Sequence, residues 1–217
     1  VLVLSIAGFL TFKGYMYYQD LQRKKPLDQL MLQVENRDDF IPFEDLPQDL
    51  FNATVAIEDK RFVEHSGIDY FSLIRAILSQ FTPARSGGST ITQQTAKNLY
   101  ELYDTDLDRK FAEIFMAMHL EKNYSKGEIF AVYVNIINYG DLNMGIYQAS
   151  TNYFHVHPSQ LRLEQCAILA GIPQSPANYQ LSNHYDKAKI RQKQVLKAMA
   201  DCGYIQQDLV DAYYNAS

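Results

Sequence analysis

Residues 47–67 read PQDLFNATVAIEDKRFVEHSG, and this stretch decides the fold class. Pro47 and Asp49 favour a helix start, and Leu50, Val55, Ala56 and Phe62 return at helix-compatible intervals, so a helix is expected to carry Glu58 near its C-terminal end. If that helix persists, Glu58, Phe62 and His65 share one face at i, i+4 and i+7. A carboxylate beside an aromatic wall suits a general base, because partial desolvation raises its pKa toward the working pH. The competing reading is a solvated, charged helix end with a locally satisfied histidine. A metal site built from Asp59, Glu64 and His65 is weaker still.

Working outward, the same period recurs and alternation does not. A second apolar helix is expected over residues 70–80, where Phe71, Leu73, Ile74, Ile77, Leu78 and then Phe81 read as core or as a membrane-touching flap. Residues 81–88 (FTPARSGG) form a breaker-rich loop. Thr90 with Gln93 offers a capping box for a helix through Leu99. Leu107, Phe111, Ile114, Phe115 and Met118 make a helical stripe, and Ser125 with Glu128 caps a helix containing Ile129, Tyr133 and Ile136. Further helices are expected from Pro158 to Ala170, stopped by Gly171, and from Asp186 to Asp201, stopped by Gly203. The fold class is therefore mainly α, one compact domain over residues 44–217 after an anchor and a connecting segment over 21–43 that holds at most a short strand.

Residues 1–12 (VLVLSIAGFLTF) carry no charge and begin with Val1, as if cut inside an apolar segment. Twelve residues are too few for about 30 Å of hydrocarbon, but the run continues past Lys13 to Tyr15, Tyr17 and Tyr18, which resemble an interfacial belt. Residues 1–20 are thus expected to form a transmembrane segment, the alternatives being a buried core helix or a signal-peptide remnant. Composition excludes other classes. The chain's 217 residues include 20 Lys+Arg and 25 Asp+Glu, a net charge of -5 that gives no footprint for nucleic acid. Cys166 and Cys202 lack disulfide-framework or zinc spacing. His155 and His157 precede Pro158 and read as loop residues.

Two more clusters carry candidate chemistry. Gly87, Gly88, Ser89, Thr90, Gln93 and Gln94, followed by Lys97 and Asn98, open a helix with a glycine pair, exposing backbone N–H groups and hydroxyls that suit an anion such as phosphate. The Gly-Lys-Ser/Thr ending of a Walker loop is absent. The plain alternative is a capped helix after a loop. Arg109 and Lys110 stand one turn before Glu113. They read either as a surface ion pair contributing about 0.2–0.5 kcal/mol or as cations placed for a departing pyrophosphate.

In order and spacing these motifs resemble the peptidoglycan glycosyltransferase family (glycosyltransferase family fifty-one), the transglycosylase domains of penicillin-binding proteins and the monofunctional glycosyltransferases. The resemblance runs from about Phe40 to Asp211. It passes through Glu58-Asp59, Phe62, His65 and Gly67, then residues 87–94 with Lys97-Asn98, then Arg109-Lys110 and Glu113. It continues with Lys126, Ile129, Tyr133 and Asn135, and with residues 170–176 (AGIPQSP) and Tyr179. It implies a lysozyme-like helical domain with a small membrane-associated jaw, on the extracytoplasmic face of the bacterial cytoplasmic membrane. The implied substrate is lipid II. By the same resemblance Glu58 is the base that deprotonates the acceptor GlcNAc 4-hydroxyl, and Glu113 is the second essential carboxylate. Lys97, Arg109 and Lys110 neutralise the diphosphate, in some members with a divalent ion (magnesium or manganese). Asp59, Phe62, His65, Gly67, Ser89, Thr90, Gln93, Gln94 and Asn135 complete the expected substrate site, and the nascent glycan strand and other cell-wall synthesis proteins are the implied partners.

The sequence also departs from the family pattern. Ala131 stands where a glutamate is common, Ala112 where a lysine precedes the motif glutamate, and Thr105 or Asp106 where an arginine is frequent. Fewer cations weaken diphosphate binding, and this motivates a second hypothesis, a lipid II-binding scaffold with little catalysis. A third, a muramidase on the same scaffold, has no use for residues 87–94 and Lys97. No transpeptidase signature follows, so the chain reads as monofunctional or as the front of a longer bifunctional one.

Overall fold

The computed structural model describes residues 2–72, 74, 88–103 and 106–216. Expectations for Val1, Leu73, Ile77, Leu78, Phe81, Gly87 and Thr105 lie outside them. The described residues are mainly helical and contain no strand, only an isolated bridge between Asn138 and Met144. The chain forms two compact units. One comprises residues 1–37 and 62–133, the other residues 38–61 and 134–217.

The first unit holds α1 (Leu2–Lys24), α2 (Leu27–Glu35), α4 (Ile91–Leu99), α5 (Leu107–Asn123) and most of α6 (Lys126–Ile136). The segment expected to be a connector contains a helix, because Pro26 presets its start and Leu27, Leu30 and Met31 bury one stripe. The Thr90–Gln93 capping box forms as expected. So does the reciprocal Ser125–Glu128 pair, where Ser125 N donates to Glu128 Oε2 at 2.7 Å and Glu128 N to Ser125 Oγ at 3.2 Å. The expected α5 stripe is not its deepest face. Ala112, Glu113, Met116, Ala117 and Leu120 are buried, whereas Leu107 and Met118 are exposed. The apolar stripe instead receives α1: Gly14 lies directly on Phe111, with no room for a Cβ, and Tyr15 meets the Phe115 ring edge-on at 5.3 Å.

No helix among the described residues is long and apolar enough to cross a membrane. The physical reason lies in α1 itself. Its C-terminal half is polar, Lys13 pairs with Asp108, and the Tyr18 hydroxyl contacts His119 Nδ1 at 2.8 Å.

The second unit is built on α3 (Gln48–Glu58), α7 (Ile146–Phe154), α8 (Leu163–Gly171), α9 (Pro176–Tyr179), α10 (Leu181–Asp201) and α11 (Val210–Asn215). Helices α3, α8 and α10 meet through small residues. Ala53, Ala56, Ala167 and Ala170 face Val195, Leu196 and Met199, so the helices approach closely enough to exclude water from all of them. The helix expected over residues 158–170 is two elements. Pro158–Gln160 forms a 3-10 turn, and extended backbone at Leu161 and Arg162 separates it from α8. Gly171 does not stop α8 through a left-handed turn, since its φ is -82°. Gly203, at φ +76°, does end α10 as expected.

Candidate active site

In the first unit, the cap of α4 and the first turns of α5 enclose a cleft of about 190 Å³. Ser89, Gln93, Gln94, Lys97, Arg109, Lys110 and Glu113 line it together with Leu102 and Tyr103. Glu113 is 1% exposed, and both its oxygens are taken by cations from its own helix. Arg109 Nη1 bonds Oε1, and Lys110 Nζ donates to Oε2 at 2.7 Å. Lys110 also donates to Ser89 Oγ at 2.8 Å. The pairing is therefore buried, unlike the exposed i, i+4 pair that was the alternative. Arg109 Nε is buried without a hydrogen-bond partner among the described residues, and the Lys97 ammonium sits 5.9 Å from the Tyr103 ring. Among the described lining residues, three cations face one carboxylate, an arrangement that suits a doubly charged anion.

Other expected site residues of this unit serve its framework. Phe62 is fully buried with the Lys126 ammonium 4.5 Å from its ring. Lys126 Nζ also donates to Glu121 Oε1 and to the His65 carbonyl, both at 2.6 Å, while Thr92 Oγ1 donates to Glu121 Oε1 at 2.5 Å. His65 Nδ1 accepts from Gly67 N at 3.1 Å, and Thr90 Oγ1 donates to the Gly67 carbonyl at 2.7 Å. Gly67 has φ +91° and lies so close to Ala117 that a Cβ would be 3.0 Å from its backbone, so no other residue fits both the conformation and the space. The first motif thus forms a turn pinned to α4, α5 and α6, and the expected Glu58–Phe62–His65 helical face does not form. Helix α3 ends at Glu58, and Asp59 leaves helical geometry at φ -155°, ψ 76°.

In the second unit, Glu58 closes α3, with Asp59 buried behind it. Arg191 of α10 brings Nη2 to 3.8 Å from Glu58 Oε1, and both side chains are largely buried, at 10% and 14% exposure. Burial pushes the Arg191 pKa down, and the Glu58 charge opposes that shift. Arg191 reaches this place by crossing Gly171, where a Cβ would stand 2.7 Å from Arg191 Cγ. Asn135 closes a backbone pairing with Ile41. Its Oδ1 accepts from Ile41 N at 3.0 Å, and its Nδ2 donates to the Ile41 carbonyl at 2.8 Å.

The sequence reading missed Arg191 and Tyr103. Arg191 left a signal, a cation inside the Ala188, Gln192, Val195, Leu196 and Met199 face that α10 buries. Ala112 and Ala131 are buried apolar positions. Among the described residues no three carboxylate, histidine or cysteine side chains converge on a metal position.

A family model described as transglycosylase matches residues 23–200. Penicillin-binding protein 1F of Bacillus subtilis is 35% identical over 94% of this chain and 31% of its own length. Penicillin-binding protein 2D of the same organism is 41% identical over 79% of this chain and 25% of its own. The chain thus spans about a third or less of these relatives. A Cupriavidus necator protein that carries a provisional transglycosylase name is 36% identical over 94% of this chain and 89% of its own length. With the match covering most of the sequence and the motif order intact, this chain belongs to the transglycosylase family.

Proposed function

We propose that the chain polymerises lipid II into peptidoglycan glycan strands by inverting glycosyl transfer. The observation that carries this reading is the cation-lined cleft around Glu113, where Lys97, Arg109 and Lys110 surround one buried carboxylate beside Ser89 and the amides of Gln93 and Gln94. Glu58 takes the proton from the acceptor GlcNAc 4-hydroxyl, and the resulting oxygen nucleophile forms a bond to C1 of the donor MurNAc. The C1–O bond to the diphosphate breaks, its electron pair leaves with undecaprenyl pyrophosphate, and the cations of the cleft stabilise that charge. Inversion in one displacement needs a base and a stabilised leaving group but no covalent nucleophile, in parallel with inverting glycosidases. Glu113 holds Arg109 and Lys110 in place for the leaving group.

The site works at the outer face of the cytoplasmic membrane, where a lipid-linked substrate resides. Phe9, Phe12 and Met16, exposed at helical spacing on α1, support contact with the membrane surface. The scaffold reading draws on Ala112 and Ala131, which supply no charge to either unit.

Fluorescent lipid II in detergent, with and without a divalent metal, tests the proposal. A ladder of glycan products is expected. A folded protein that binds lipid II and yields no product would overturn polymerisation in favour of the scaffold.

A further inference from the structure

Of the three cations that line the cleft, one is held differently from the others. Arg109 and Lys110 are both bound to Glu113, and Lys110 also reaches Ser89. The Lys97 ammonium has no ion-pair or hydrogen-bond partner among the described residues; it lies 5.9 Å from the centre of the Tyr103 ring. We infer that Tyr103 is a positioning residue for Lys97: its ring holds the ammonium at the cleft as the cation left available to an incoming diphosphate. The inference rests on the reading of the cleft as a diphosphate site. Tyr103 itself falls between the motifs that carry the family resemblance.

The local chain geometry puts the ring there. At the end of α4, Glu101 N donates to the Asn98 carbonyl at 3.2 Å and Leu102 N to the Lys97 carbonyl at 3.0 Å, while Glu101 takes φ +54°. This is the left-handed reversal that closes many helices. Leu102 is thereby bonded back to the peptide of Lys97, and the next residue, Tyr103, comes alongside the Lys97 side chain. The reversal is also tied to the rest of the site, because Arg109 Nη1, which bonds Glu113, donates to the Leu102 carbonyl at 3.4 Å.

A ring face suits this task better than a carboxylate. A carboxylate would take up ammonium protons and cancel the charge, whereas the π face attracts the cation and leaves its N–H donors for a ligand. The described carboxylates over residues 101–113 do not compete. Glu113 is shared by Arg109 and Lys110. Asp106 Oδ1 accepts from Asp108 N at 3.3 Å at the start of α5, and Asp108 pairs with Lys13. Glu101 would stand at i+4 from Lys97 on a continued helix, but its left-handed φ takes it out of that register. Tyr103 is 66% exposed, so replacing it spares the core and its effect is read at the site.

The test measures affinity for inorganic pyrophosphate by calorimetry, and kcat and KM on lipid II, for the full chain and for Tyr103→Leu, Tyr103→Phe, Lys97→Met and the double variant Lys97→Met with Tyr103→Leu. Tyr103→Leu is expected to weaken pyrophosphate binding about two- to fivefold. KM should rise by a similar factor with kcat little changed, since the diphosphate already carries its charge in the ground state. Tyr103→Phe keeps the ring face and restores most of the loss. In the Lys97→Met background Tyr103→Leu should have no further effect. Undiminished pyrophosphate affinity in Tyr103→Leu, no pyrophosphate binding by the wild type, or the same loss with Lys97 already removed overturns the inference.

The contact itself is read without any ligand. The Lys97 ε-methylene resonance, assigned by comparison with Lys97→Met, is expected upfield of exposed lysines through the ring current, and should lose that shift in Tyr103→Leu but not in Tyr103→Phe. A resonance that Tyr103→Leu leaves in place overturns the inference. Glycan ladders decide the proposed function separately. Ladders from the wild type with an unperturbed Tyr103→Leu sink the inference alone, and a protein that binds pyrophosphate through Lys97 and Tyr103 yet makes no glycan sinks polymerisation alone.

Discussion

Replacing Arg109 by methionine should destabilise the first unit by an amount the geometry allows to be bounded. Glu113 is 1% exposed and is held by Arg109 and Lys110 together. Removing one partner of a buried pair typically costs about 3–5 kcal/mol. Here Lys110 keeps its 2.7 Å contact, and its side chain is 39% exposed, so water supplies part of what is lost. A cost of about 2 kcal/mol is therefore expected, or about 4–8 °C in melting temperature for a chain of this size. Differential scanning calorimetry is the assay, because two compact units can melt separately. The double variant Arg109→Met with Glu113→Gln should recover part of the loss, since the stranded charge is then gone. A single variant melting within about 1 °C of wild type, or strictly additive losses in the double variant, would refute the buried triad.

Other consequences are checked as simply. Gly14→Val should undock α1 from Phe111, seen as faster hydrogen exchange across residues 8–24 with α4 unaffected; unchanged exchange would contradict the packing. Lys126→Met removes the bonds to Glu121 and the His65 carbonyl along with the contact over Phe62, and should cost about 2–3 kcal/mol in denaturant unfolding. The Ser125 hydroxyl and backbone hydrogen bonds hold the Glu128 carboxyl below its ordinary value of 4.5. Its stabilising contribution is therefore present above pH 4.5 and is lost as pH falls through the lowered value. Glu128→Ala should melt earlier than wild type at pH 7, with the gap narrowing as pH drops below 4.5, and a gap that widens in acid would contradict the sign.

The helices were legible wherever local chemistry set their ends. Thr90 with Gln93, Ser125 with Glu128, and Gly203 each satisfy backbone groups by short-range bonds that a sequence states directly. What escaped was tertiary. Nothing between Glu58 and His65 announces that Asp59 breaks the helix, because the break serves a turn held by Glu121, Thr90 and Lys126 from distant positions. The α5 stripe was visible as apolar, yet which face lay deepest depended on α1 docking at Gly14. In the cleft, the cations and Glu113 were marked by spacing, whereas Arg191 was hidden because its partner lies 133 positions away in the sequence, Glu58 to Arg191.

The most direct test of the account is the Glu58→Gln variant in lipid II polymerisation beside the wild type. The account predicts glycan ladders from the wild type and none from the variant, with the fold and lipid II binding retained and the melting temperature lowered only as far as Arg191 loses its partner, since the substitution keeps shape and removes the proton-accepting charge. Polymerisation by Glu58→Gln at the wild-type rate would contradict it.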